Sequence, residues 1–243
     1  VLLESGYSVS GSDEQSTVFT ERLEQSGARV YIGHQKDNIA GAKIVLASSA
    51  IPNSNPELQA AREQGIKVLT RQELLGTLMA GRTGCAVAGT HGKTTVTALL
   101  ATCLLRVGLD PTFIVGGVIS DLGINAHHGE GEPFVVEADE YDHMFLGLRP
   151  KVAIITNVDY DHPDCYSSMA DMKAAFREFA MLVPPEGRLI INQDDAGARD
   201  IGSEARGAGV PVVSYALKRE ADWRAEDVQC GTDGRCSFTL RSR

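Results

Sequence analysis

Apolar and polar positions along the chain fall into short apolar runs that alternate with longer stretches in which apolar residues recur every three or four places. In the first third, "YSVSGSD", "ARVYIGH", "AKIVLASSAI" and "IKVLTR" predict strands. Between them, "TVFTERLEQSG" predicts a helix with Phe19 and Leu23 on one face, and "NPELQAAREQG" predicts a second. Each predicted helix runs into a glycine, Gly27 and Gly65, the residue that most readily takes the left-handed turn at a helix end. "ELLGTLMAGRTG" closes this section, which predicts a domain boundary near Gly81.

The pattern then resumes with a fully apolar strand, "GCAVAG", a glycine-rich turn, and "KTTVTALLATCLLRVG", where Val96, Leu99, Leu100, Cys103 and Leu104 recur at helical spacing. "PFVVEAD", "VAIITNV" and "GRLIINQDD" predict further strands, with an amphipathic helix "MKAAFREFAMLV" among them and β-rich segments "VPVVSYAL" and "CSFTLRSR" after Val210. Strand–helix alternation of this kind predicts an α/β protein whose parallel sheets are covered by helices. The opening "VLLESGYSVSGSD" reads as the end of a helix, a glycine turn and a short strand. A start in mid-element predicts an upstream strand and loop.

Composition narrows the function little. A chain of 243 residues with 43% hydrophobic and 23% charged residues is ordinary for a globular protein. A net charge of −9 argues against coating nucleic acid or an anionic membrane, and no run is apolar enough to span a bilayer. Five cysteines without CxxC spacing read as scattered reduced thiols of a cytoplasmic protein rather than a zinc or disulfide framework.

The chemistry is concentrated at predicted strand ends. In "AVAGTHGKTT" a strand, a glycine turn and a helix follow in the order a phosphate-binding loop needs, although Val87 stands where the usual pattern has its first glycine. Glycines let backbone N–H groups and the helix N-terminus turn toward an anion; Lys93 would neutralise phosphate oxygens and the Thr94 hydroxyl would reach Mg²⁺. "VVEADEYDH" crowds Glu137, Asp139, Glu140 and Asp142 at a strand end, a candidate metal site whose alternative is a solvated acidic loop. "TNVDYDHPDCY" sets His162 among Asp159, Asp161 and Asp164, a candidate ligand or orienting group. Asp13 in "SGSD" serves equally as a ribose-binding acid or a turn cap, and "SSAIPNSNPE" as a ligand loop or a polar turn.

Taken in order, "GTHGKTT", "EADEYD", "TNVDYDHPDCY" and "NQDD" resemble the Mur ligases of bacterial cell-wall synthesis, from about Val1 to the C-terminus. His91 in the loop, "SSAIPNSNPEL" and "LDPTFIVGG" point to the alanine-adding branch. The alternatives are the branch that recycles murein peptide onto UDP-N-acetylmuramate, which that resemblance gives a longer insertion between Glu137 and His162, and a non-catalytic nucleotide-binding module. The resemblance implies a Rossmann-like UDP-sugar domain over residues 1–80 and a P-loop-type, parallel-sheet ATP-binding domain over 81–243, each incomplete. It implies ATP-dependent amide formation between L-alanine and the lactyl carboxylate of UDP-N-acetylmuramate, with no nucleic-acid or membrane partner. Gly89, Thr90, His91, Gly92, Lys93, Thr94 and Thr95 would then bind the ATP phosphates. Lys93, Glu137 and His162 would be the catalytic residues, with Thr94, Glu137 and His162 holding Mg²⁺. Asn192 would lie near the adenine, and Asp13, Ser48 and Ser49 would face the uridine. Several Mur relatives place a carbamylated lysine where this chain has the Arg177 region, so no such role is assigned here. A fragment of this kind is expected to have no ligase activity alone.

Overall fold

The computed structural model describes residues 1–48 and 50–243. The chain divides into two compact units, Val1–Leu78 with Ala126–His128, and Met79–Asn125 with Gly129–Arg243.

In the first unit, residues 1–7 make a single turn closed by the Ser5 N–H on the Val1 carbonyl. β1 (Ser10–Asp13), α1 (Val18–Gln25) and β2 (Arg29–Ile32) form one parallel strand–helix–strand unit, with Asp13 opposite Ile32. α1 starts where Thr17 and Thr20 cap each other's backbone N–H groups. β3 (Ile44–Ala47), α2 (Pro56–Glu63) and β4 (Lys67–Thr70) form a second such unit. α2 begins at Asn55, whose side chain accepts from the Glu57 and Leu58 amides, with Pro56 in the first turn. Ile39, Ala60 and Ala61 form the small core, and α3 (Arg71–Met79) ends the unit. Phe19 and Leu23 do share a face of α1, but that face stays exposed, and only Thr20 of the helix is buried.

The second unit is built on a nine-stranded sheet. Its elements are β5 (Thr83–Ala88), α4 (Lys93–Arg106), β6 (Thr112–Ile119), β7 (Ile124–His127), β8 (Pro133–Glu137), β9 (Val152–Ile155), α5 (Met169–Met181), β10 (Arg188–Asn192), α6 (Ala196–Gly207), β11 (Val212–Ala216), β12 (Trp223–Cys230) and β13 (Cys236–Ser242). The strand order is β13-β12-β11-β10-β9-β5-β8-β6-β7. The central pairs are parallel, and β12 and β13 form an antiparallel hairpin. Val87, Ala86, Val135 and Ile155 are fully enclosed or nearly so, as continuous apolar runs in a sheet covered on both faces must be.

β6, β7, β12 and α6 are not among the elements predicted from the sequence. α6 buries Gly197, Ala198, Ile201, Gly202 and Ala205 on one face, with its charged residues on the other. In α4 the inner face is Thr97 and Ala101 with Leu100 and Leu104, while Leu99 and Cys103 point outward, a shift of part of the expected stripe. The expectation of uniformly reduced thiols is also corrected. Cys230 and Cys236 face each other across the β12–β13 hairpin, Cα atoms 4.1 Å apart, and form a disulfide. Their pairing is set by a strand register, which cysteine spacing alone does not express. Among the described residues, no helix is long and apolar enough to cross a membrane.

Candidate phosphate site at the sheet edge

Register puts the chemistry in one place. β5 lies between β8 and β9, parallel to both, with Val87 opposite Glu137 and Ala88 opposite Ile155. The three strands therefore end together, and the segments that follow them leave from one edge. The strand order also reverses direction at β5, the arrangement in which open α/β sheets leave a ligand crevice beyond the strand ends.

Val87 belongs to the buried strand, so the turn begins two residues later than in a loop with a glycine there. Gly89 has φ +137°, and a Cβ on it would stand 2.0 Å from Thr156 Oγ1. The turn is stapled to the segment after β9. The Thr90 N–H donates to the Asn157 carbonyl at 3.1 Å. The Asn157 side chain accepts from the His91 N–H at 2.8 Å and donates to the His91 carbonyl at 2.9 Å. Thr156 Oγ1 donates to that same carbonyl at 2.8 Å, and the Thr90 hydroxyl bridges the Asp159 backbone. Gly92, at φ +80°, caps α4 with no side-chain hydrogen bond, leaving the helix's first amides to other partners.

Lys93 opens α4 and turns back over the loop. Its Nζ donates to the Gly89 carbonyl at 2.8 Å and to both Glu140 oxygens at 2.8 and 2.9 Å. Glu140 is fully enclosed, and its second neighbour is His162, with Nε2 3.5 Å from Oε1. The Tyr166 hydroxyl donates to the Glu140 carbonyl; burial first, then the Glu140 charge, pushes that phenol's pKa upward. Behind this loop Phe145 stacks on Phe179 and meets Phe176 edge-on, which anchors the segment to α5.

Thr94 and Glu137 each lie beside a glycine of β6. The Gly116 N–H donates to Glu137 Oε1 at 2.7 Å, and a Cβ on Gly116 would meet Oε2 at 2.7 Å. A Cβ on Gly117 would come 3.3 Å from Thr94 Cγ2. Thr95 is exposed in the first turn of α4.

The acidic run after β8 is divided among separate tasks. Glu137 faces β6, the Asp139 side chain accepts from the Tyr141 N–H, and Glu140 turns inward to Lys93. Asp142 and His143 take left-handed backbone angles, φ +52° and +54°. Tyr141 donates to Asp164, whose carboxylate pushes the phenol's pKa up to about 12. Among the described residues, no three His, Cys, Asp or Glu converge as a metal cluster.

The remaining candidates are dispersed. Asn192 ends β10, and its side chain accepts from the Asp194 N–H. In the first unit Asp13 ends β1 and accepts from the Gln15 N–H, and the Ser48 hydroxyl accepts from the Ala50 N–H; both are turn-capping contacts. Ser49 lies outside the described residues. Arg177 is paired with Glu204 of α6. Sequence reasoning gave Thr156, Asn157 and Gly116 no role of their own and took Glu140 for one of a candidate metal-binding group. The only local signal was that each adjoins an apolar strand.

A glycine turn stapled at the centre of a doubly wound sheet, with a lysine at the head of the following helix, defines a phosphate-loop α/β protein. The chain belongs to the Mur ligase family: residues 1–83 match the family's "Mur ligase family, catalytic domain" and residues 87–242 its "Mur ligase middle domain". It is 46% identical over 241 residues to UDP-N-acetylmuramate–L-alanine ligase of Burkholderia ambifaria, covering 99% of this chain and 51% of that protein. The chain thus spans about half the length of the curated relatives it matches. Among solved structures it is similar to a UDP-N-acetylmuramate:L-alanyl-γ-D-glutamyl-meso-diaminopimelate ligase of Neisseria meningitidis. That similarity has a TM-score of 0.85 and 26% identity and covers 100% of this chain and 78% of that one. The fold is also shared with UDP-N-acetylmuramate–alanine ligase of Thermotoga maritima, at TM-score 0.82 and 24% identity over 99% of this chain and 54% of that one.

Proposed function

We propose that this chain supplies the ATP- and UDP-sugar-binding parts of an enzyme that joins L-alanine to the lactyl carboxylate of UDP-N-acetylmuramate through an acyl phosphate, in peptidoglycan precursor synthesis. The observation that carries the reading is Lys93, Thr94 and Glu137 standing at one sheet edge around a stapled glycine turn, in a chain 46% identical to proteins of that name.

In this reading Gly89, Thr90, His91, Gly92 and Thr95 surround the ATP phosphates with backbone and hydroxyl donors, and Lys93 meets the γ-phosphate. The lactyl carboxylate attacks the γ-phosphorus as its bond to the bridging oxygen breaks and ADP leaves, and the charge that spreads over the phosphoryl oxygens is met by Lys93 and the helix N-terminus. The amine of L-alanine then attacks the acyl carbon and expels phosphate. No side chain has to form a covalent bond. Asn192 stands by for the adenine, and Asp13, Ser48 and Ser49 for the uridine.

The residues fit Mg²⁺. A threonine hydroxyl and a carboxylate are hard oxygen donors, Gly116 occupies only one oxygen of Glu137 by hydrogen bonding, and a cation shared with phosphate oxygens needs few protein ligands. Thr94 and Glu137 would hold one ion and His162 would serve a second; when bound, the ions would draw negative charge off the transferring phosphoryl group.

Calorimetric titration of the chain with ATP and with UDP-N-acetylmuramate tests this. Both should bind, and Glu137→Ala should lose the Mg²⁺-dependent part of ATP affinity while retaining the sugar nucleotide. Unchanged Mg²⁺-dependent affinity would favour a plain nucleotide-binding module. The likeness to the Neisseria ligase favours a second reading in which the amine is a murein peptide. Phosphate release with L-alanine against L-alanyl-γ-D-glutamyl-meso-diaminopimelate as acceptor, measured on an enzyme of the curated relatives' full length that carries this chain, separates the two.

A further inference from the structure

The Lys93 ammonium has three protons to donate, and protein groups take all three. One goes to the Gly89 carbonyl at 2.8 Å, and the others face the two oxygens of Glu140 at 2.8 and 2.9 Å. Glu140 shows no surface to solvent, and the Lys93 side chain is 16% exposed. A phosphate that is to be held by Lys93 therefore has to take donors away from a buried carboxylate. We infer that Glu140 is a built-in counter-anion for Lys93 and a specificity-determining residue of the site: it competes with the ligand's phosphates for the ammonium, so that only a ligand carrying concentrated negative charge, a nucleoside di- or triphosphate, displaces it. This rests on the nucleotide reading above and adds the selectivity to it.

The surroundings make the exchange feasible. Stripping a buried carboxylate of its only partner would be prohibitive. Glu140 has a second neighbour in His162, whose Nε2 lies 3.5 Å from Oε1, so the carboxylate keeps a positive partner when Lys93 turns to a phosphate: the imidazole itself when protonated, or the ion that His162 would hold. The backbone of Glu140 is held in place by the Tyr166 hydroxyl, and Tyr166 is itself enclosed, with its carbonyl accepting from the Tyr160 hydroxyl. Glu140 thus stays put while the longer, more flexible lysine changes partner. Glu137 is not part of this exchange, because its Oε1 is engaged by the Gly116 N–H.

The test is a set of dissociation constants for ATP, ADP and AMP, measured by calorimetry at fixed Mg²⁺. The proteins are the wild-type chain, Glu140→Gln, Lys93→Met and the double variant. Hydrogen bonds to an ionised acceptor are about twice as strong as those to a neutral one. Glu140→Gln keeps the shape but removes the charge, so ATP should bind about fivefold more tightly while AMP changes little. In the Lys93→Met background, where ATP affinity is down by about tenfold or more, the Glu140 substitution should have no effect on ATP, because its action runs through Lys93. A purely structural Glu140 predicts the opposite sign, weaker binding. Tyr166→Phe leaves both charges and releases only the anchor of Glu140, and should tighten ATP about twofold, which keeps the test open if Glu140→Gln folds poorly. ATP affinity that is unchanged or weakened in a folded Glu140→Gln, or in Tyr166→Phe, overturns the inference, as does an equal effect of Glu140→Gln with and without Lys93. Those results leave the nucleotide reading standing; a wild-type chain that binds no ATP overturns both.

Discussion

Placing alanine at Gly89 is the sharpest perturbation of the phosphate loop. The residue sits at φ +137°, where L side chains rarely go, and its Cβ would fall 2.0 Å from Thr156 Oγ1 and 3.1 Å from the Asn157 backbone. The Thr156 hydroxyl cannot simply turn aside, since it donates to the His91 carbonyl at 2.8 Å and lies 3.3 Å from that of Ala88. The unfavourable backbone angle costs about 1–3 kcal/mol. Giving up the Thr156 hydrogen bond adds about 1–2 kcal/mol, so Gly89→Ala should destabilise the second unit by roughly 2–5 kcal/mol. Urea unfolding followed by the fluorescence of Trp223, the single tryptophan, reads that unit directly. A Gly89→Ala/Thr156→Ala pair separates the two contributions: with the hydroxyl gone, the further effect of the Gly89 change should fall to the backbone part alone. The reasoning is refuted if Gly89→Ala unfolds within about 0.5 kcal/mol of the wild type, or if removing the Thr156 hydroxyl leaves its cost untouched.

Three further outcomes are expected. Asp222 Oδ2 accepts from the Ser214 hydroxyl at 2.6 Å and its N–H at 2.7 Å, bonds that hold its pKa below the ordinary aspartate value of 3.8. Because the folded value is the lower one, the stabilisation is complete above pH 3.8 and disappears as pH falls through the depressed value; Asp222 is exposed, so solvent screening reduces the effect, and Asp222→Asn should lower the urea midpoint at pH 7 by the equivalent of about 0.5–1 kcal/mol and lose that difference in strong acid. Alkylation followed by mass spectrometry should label exposed Cys103 first and Cys85 last, since burial pushes the Cys85 thiol up to about 11. Reducing Cys230–Cys236, or replacing both by serine, should weaken the β12–β13 hairpin by about 2 kcal/mol, visible as faster amide exchange there with little change at β5.

Much of the framework was legible because it depends on neighbours in the chain. The run 84–89 is too apolar to be anything but an interior strand, and Gly27 and Gly65 stop α1 and α2 with left-handed angles, as the sequence predicts. The glycine turn was legible for the same reason: a strand, two glycines and a helix-opening lysine are a local order. The disulfide was illegible, since the pairing of Cys230 with Cys236 depends on a hairpin register containing a bulge between Glu226 and Gln229. So were the roles within "EADEYD". Four acids within six positions look alike on paper; strand pairing turns Glu137 toward Gly116, and the turn after β8, held by Tyr166, turns Glu140 toward Lys93.

By itself, then, the sequence determined which segments become strands and helices, where the glycine turn falls and which side chains bring charge to it. These follow from residue periodicity and backbone preference over a few positions. Only the tertiary structure decided that β5 would lie between β8 and β9. That one arrangement aligns Gly89, Glu137 and Thr156 at a common edge, staples the loop through Thr156 and Asn157, and buries Glu140 beneath Lys93. The contacts join residues 47 to 69 positions apart, and register between strands, not composition, brings them within hydrogen-bonding distance.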